Sequence, residues 1–90
     1  MIKITILRID GIVEEKTIEG GDKLIPTLQA EVGGYLEPVR YLEGVPKGKL
    51  ILVNEDGISL DLTPNPFVEG WQGHRPLLGN IIMMDEADLD

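Results

Sequence analysis

Leu28-Gln29-Ala30-Glu31-Val32-Gly33-Gly34-Tyr35-Leu36-Glu37 is the stretch that decides how this chain is built. It reads as the end of a short helix, a stop at paired glycines, and an immediate turn into a strand. Glycine reaches φ > 0 without a Cβ penalty, so Gly33 suits the left-handed position that closes a helix. Upstream, Ile25, Leu28 and Val32 fall at i, i+3 and i+7, the spacing of one helical face over residues 24–32. Pro26 is compatible with the first turn of that helix only. Asp22, after Gly20-Gly21, is expected to cap the turn by accepting from an exposed backbone N–H. Downstream, Tyr35, Glu37, Val39 and Tyr41 alternate with Leu36, Pro38, Arg40 and Leu42, a strand period over residues 35–42. Pro38 lacks an N–H for a ladder, which points to an edge strand or a bulge.

Working outward, Ile2, Ile4 and Ile6 alternate with Lys3 and Thr5 in a first strand that extends through Leu7 and Ile9. Asp10-Gly11 is the signal for a two-residue type I′ hairpin turn. The return, residues 12–19, carries Glu14, Glu15 and Lys16 in its middle, which suits an edge or weakly covered strand, where charge discourages pairing with another chain. Residues 43–48 form a loop, and Leu50-Ile51-Leu52-Val53 then reads as a strand covered on both faces. Asn54-Glu55-Asp56-Gly57 is a second hairpin turn, with a return strand expected over residues 58–62. Residues 63–76 hold three of the six prolines and form a long loop, a feature that is often either functional or disordered. A last strand is expected over residues 77–84, with Gly79 at a bulge, before an acidic, frayed tail at 85–90. The expected fold is α+β: a mainly antiparallel twisted sheet of five or six strands, with one short helix packed on one face. Residues 1–84 make a single domain, and Leu28, Val32, Leu50, Leu52, Ile81 and Met83 are expected to share its core.

Composition narrows the function classes. A chain of 90 residues with 42% hydrophobic content can bury a core without metal or disulfide staples. There is no Cys, which removes thiolate metal sites and thiol catalysis and fits a reducing cytoplasm. No apolar run approaches the ~20 residues that span a bilayer, and the N-terminus lacks an apolar signal segment. The expectation is a cytoplasmic protein without a membrane partner. The formal net charge of −8 is uneven: residues 1–50 balance to −1, whereas residues 51–90 carry eight acids against Arg75 alone. Nucleic-acid binding requires basic groups that displace phosphate counterions, so direct nucleic-acid contact is not expected.

The order of motifs resembles a family of small proteins carried by phages and other mobile elements, known as domain of unknown function 3846. Its pattern is matched by Leu28-Gln29 with Val32-Gly33-Gly34-Tyr35-Leu36-Glu37, then Asn54-Glu55-Asp56-Gly57, then the Pro64-Asn65 turn, then Gly79-Asn80-Ile81-Ile82. The resemblance covers residues 24–84, and departs where 43–48 and 67–76 look longer than the usual pattern. It implies a small accessory protein working in a host cytoplasm and carries over no catalytic residues.

Residue chemistry points the same way. His74 is the only histidine, and with no Cys it has no recognisable partners for a transition metal; no cofactor or metal is expected. Ser59 is the only serine and lacks the motif of an activated nucleophile. Glu14-Glu15 and Asp85-Glu86 are adjacent carboxylates that strand geometry would send to opposite faces. The chain is therefore read as a binding protein and not an enzyme. Trp71, His74 and Arg75, flanked by Gly70, Gly73 and Pro76, form the first candidate surface, since Trp and Arg are over-represented among interface hot spots. Asn65, Tyr35, Glu37 and Asn54 complete the candidate set. The expected partner is a host protein; the alternatives are a small ligand such as a nucleotide signal, or an acidic surface that mimics DNA.

Overall fold

In a computed structural model, residues 1–39, 45–68 and 77–89 are described. Five strands form one antiparallel sheet: β1 (Ile2–Leu7), β2 (Val13–Ile18), β3 (Leu36–Val39), β4 (Lys49–Asn54) and β5 (Ile81–Asp85), in the spatial order β2-β1-β5-β4-β3. Helix α1 (Leu24–Val32) leads the chain from β2 at one edge to β3 at the other and packs on one face of the sheet. The fold is α+β, as the helix-stop-strand pattern indicates.

The sheet is covered on both faces because its strands alternate between two apolar sets. Facing α1 are Ile4, Ile6, Ile18, Leu50, Leu52, Ile82 and Met84, which pack with Leu24, Leu28 and Val32. Facing away are Leu7, Val39, Ile51, Val53 and Ile81, packed with Leu77 and partly covered by Val45 and Phe67. Ile81 and Met83 therefore do not join Leu28 and Leu52 in one core. Leu50 lies opposite Met84 and Leu52 opposite Ile82, so Ile82 and Met84 take the helix side. A one-residue change of register exchanges the two faces, and an Ile-Ile-Met-Met run offers no alternation from which to choose.

Several local expectations are corrected. The first hairpin is not a two-residue type I′ turn, which requires φ > 0 at both central residues. Only Gly11 is left-handed there, at φ +89°. The Gly11 N–H donates to the Arg8 carbonyl and the Arg8 N–H to the Ile12 carbonyl, both at 3.0 Å. That is a three-residue loop with a glycine after the turn. Asp22 makes no side-chain cap; α1 is entered through a 3-10 turn at Gly21–Lys23. Ile25 is exposed and Leu24 takes its place in the core.

No strand returns after the second turn. Residues 55–61 form successive turns, with the Gly57 N–H donating to the Asn54 carbonyl, Leu60 to Asp56 and Leu62 to Gly57. The reason lies in β4, whose two edges are already paired with β3 and β5. The last strand is shorter than expected: Leu78 makes only an isolated bridge to Pro64. Past it, Asp85 lies opposite Lys49, and Glu86–Leu89 form a short helix, α2, whose Leu89 packs on the core instead of fraying.

Candidate functional site

The motif residues meet in two places, each organised by a buried asparagine. Asn54, at the end of β4, donates from Nδ2 to the Val32 carbonyl at 3.0 Å, and its Oδ1 accepts from the Asp56 N–H at 2.8 Å. The Glu55 N–H donates to the Tyr35 carbonyl at 2.8 Å. Gly34 passes directly over this side chain: a Cβ there would stand 2.9 Å from Asn54 Nδ2. The Val32-Gly33-Gly34-Tyr35 and Asn54-Glu55-Asp56-Gly57 segments are thus two halves of one joint, between the helix exit and the end of β4.

Asn65 forms the second joint. Its Nδ2 donates to the Leu7 carbonyl at 2.8 Å and the Gly79 carbonyl at 2.9 Å, while Oδ1 accepts from the Phe67 N–H at 2.9 Å. Its own N–H donates to the Leu77 carbonyl, and the Gly79 N–H to that of Thr63. Asn80 adds a contact to the first hairpin by accepting from the Ile9 N–H at 3.0 Å. Both asparagines were read from the sequence as binding residues. The structure places them in the interior, at 5% and 1% exposure, with their amides engaged by backbone. Buried polar groups need such partners, and here the partners are the protein's own.

Between the two joints opens a cleft of about 300 Å³. The sheet supplies Glu37 and Val53, the turn after β4 supplies Glu55 and Ile58, and Leu77 and Leu78 complete the wall. Two residues of the sequence-derived set, Glu37 and Asn54, line it. Tyr35 stands beside it, 67% exposed, held by the Tyr35–Glu55 backbone bond. Trp71, His74 and Arg75 lie outside the described residues. Ile58 and Leu60 were missed, because their alternation with Ser59 and Asp61 imitates a half-buried strand. They are 72% and 55% exposed. The available signal was that β4 is apolar on both faces: an interior strand already has two neighbours.

The surface around the cleft is acidic. Glu37 and Glu55 line it, and Asp56 and Asp61 belong to the same turn. Most described cations are engaged elsewhere: Lys3 with Glu15, Lys23 with Glu19, Lys49 with Asp85, and Arg8 and Lys16 with Glu14 and Glu31. In the last cluster Arg8 and Glu14 make a two-pronged contact beside α1. Hydrogen bonding from Arg8 holds the Glu14 carboxyl below its usual range, and hydrogen bonding to Glu31 raises the Lys16 ammonium. These charges pin α1 to the first hairpin, and none of them lines the cleft. Among the described residues no group of three or more His, Asp or Glu is arranged to hold a metal ion, and no helix is long and apolar enough to cross a membrane.

The family model described as Domain of unknown function (DUF3846) matches residues 2–90, and the chain belongs to that family. Neither a curated protein nor a solved structure matches it.

Proposed function

We propose that this family member is a small non-catalytic binding protein, of phage or mobile-element origin, that engages and modulates a host protein in the cytoplasm. The observation that carries the reading is the surface around the 55–61 turn. Ile58 and Leu60 are exposed there, interleaved in sequence with Glu55, Asp56 and Asp61, and the exposed Tyr35 is tied to the same turn by its backbone bond to Glu55. Isolated exposed apolar residues are ordinary, but a cluster rimmed by charge is what a protein-binding patch looks like. The mobile-element origin rests on the motif resemblance and is tested by gene neighbourhood.

The test is capture of a partner by the immobilised full chain, followed by reconstitution with that partner purified. Ile58→Asp should leave the melting temperature unchanged and weaken the complex by about tenfold or more. A complex indifferent to Ile58→Asp and Tyr35→Ala would remove this surface from the interface.

The cleft itself favours a second reading, a small-ligand binder. A ligand at ~100 times its Kd adds about 2.7 kcal/mol of stability, so a thermal-shift panel separates the two. Among the described residues the lining is acidic, which suits a neutral or cationic ligand better than a nucleotide. A DNA mimic would draw on the acidity of residues 51–90 and leave the exposed apolar side chains without a role.

A further inference from the structure

We infer that the cleft beside β4 is a socket for a basic side chain, lysine or arginine, of a partner polypeptide. The inference rests on the protein-binding reading above and names the chemistry of its partner. Ile58 and Leu78 offer apolar wall beside the buried Val53 and Leu77, and Glu55 lines the same cleft with a carboxylate side chain. An ionised carboxylate only accepts hydrogen bonds. The guest must therefore donate, and must prefer company of negative charge. Asn54 also lines the cleft, but its amide is engaged by Val32 and Asp56 and does not compete for the guest.

Lysine and arginine are the side chains that combine an aliphatic stem with a cationic, donor-only head. A stem laid on Ile58 and Leu78 would carry its head to Glu55, with Asp56 and Asp61 of the same turn adding to the field. No cation among the described residues lines the cleft. A phosphate or carboxylate guest would meet the same field as repulsion. The volume, about 300 Å³, is of side-chain size and not of domain size.

The test is a titration of the isotope-labelled full chain with three capped tripeptides, Gly-Arg-Gly, Gly-norleucine-Gly and Gly-Glu-Gly, followed through backbone amide shifts. The arginine peptide should move the amides of Glu55, Gly57, Ile58 and Leu78 saturably, and the glutamate peptide should not. Glu55→Gln should weaken that response about tenfold, with the remaining spectrum unchanged. Ile58→Ser, which removes apolar wall without touching charge, should weaken it as well. An equal response to norleucine would make the cleft merely apolar and overturn the assignment. So would shifts spread over the acidic surface and indifferent to Glu55→Gln, which is non-specific attraction. Cleft amides that move with protein concentration alone would give the socket to a second copy and also refute the proposal. A captured host protein whose binding ignores Glu55→Gln overturns the socket and leaves the protein-binding reading standing. Arginine-peptide binding without any captured partner does the reverse.

Discussion

Gly34 and Asn54 illustrate how single residues hold this molecule together. Asn54 bridges the helix exit and the turn after β4, and it fits only because Gly34 has no side chain. Gly34→Ala should therefore displace Asn54, strain without any change in exposed chemistry. Asn54→Ala would strand the Val32 carbonyl and the Asp56 N–H, at about 1–3 kcal/mol for a buried group left unpaired. Because both substitutions break one joint, the double variant should cost much less than the sum, a non-additivity that denaturant titration can read. Strictly additive losses would mean that the two act separately. Gly33 fails differently. Its φ is +82°, and its N–H closes α1 on the Gln29 carbonyl at 2.8 Å. Gly33→Val should cost on the order of 1–2 kcal/mol or more through backbone strain; an unchanged melting temperature would show that the helix tolerates another ending. The role of Gly33 was legible in sequence because it is a local backbone requirement. The role of Asn54 was not, because its Val32 partner lies 22 residues away and an asparagine before Glu-Asp-Gly reads as a turn residue.

At the scale of elements, legibility followed how far each decision is local. The boundaries of α1 coincide with Leu24–Val32, since periodicity, Pro26 and Gly33 all act within the helix. The edge placement of β2 and β3 was likewise readable, from Glu14-Glu15-Lys16 and from Pro38, devices that deter pairing with other chains. The face of β5 and the fate of residues 58–62 depend on which strands neighbour β4, a long-range choice. Leu52 is 1% exposed between α1 and the sheet, so Leu52→Ala should cost ~2–5 kcal/mol, enough to threaten a domain this small. Met83→Ala, partly buried on the opposite face, should cost clearly less; equal losses would contradict the register of β5. The hairpin-to-helix charge cluster gives a pH signature. The Glu14 carboxyl is held below its usual range by Arg8, so its contribution is present above that range and is lost as pH falls through the lowered titration. Arg8 and Lys16 are raised, so their contribution is complete at neutral pH and fades only in alkali. Glu14→Gln should flatten the acid limb of the melting curve from the ordinary carboxylate range downward. Parallel acid limbs in the two proteins would show that Glu14 is not part of it.

For the molecule as a whole, charge and apolar exposure are unevenly shared. The first fifty residues are almost balanced, and their described cations are mostly paired, whereas most of the net charge of −8 falls after them, with the exposed Ile58 and Leu60. The charge asymmetry was plain in sequence. Its meeting with Tyr35 and Glu37 was not, because that depends on β3 and β4 pairing in register from Leu36 and Asn54 onward. Trp71 and Arg75 stand between Val68 and Leu77 in the sequence, outside the described residues. If these residues extend the interface, Trp71→Ala and Arg75→Ala should each weaken partner binding by at least ~1 kcal/mol with the melting temperature largely preserved. A tryptophan that caps the core would behave in the opposite way. Trp71→Ala would then lower the melting temperature, while the affinity of the remaining folded protein stayed unchanged. Measuring stability and affinity on the same preparations separates the two. Combining Trp71→Ala with Ile58→Asp adds a positional readout: coupling between their losses would put both side chains on one contact, and independent losses would put them on separate parts of the interface.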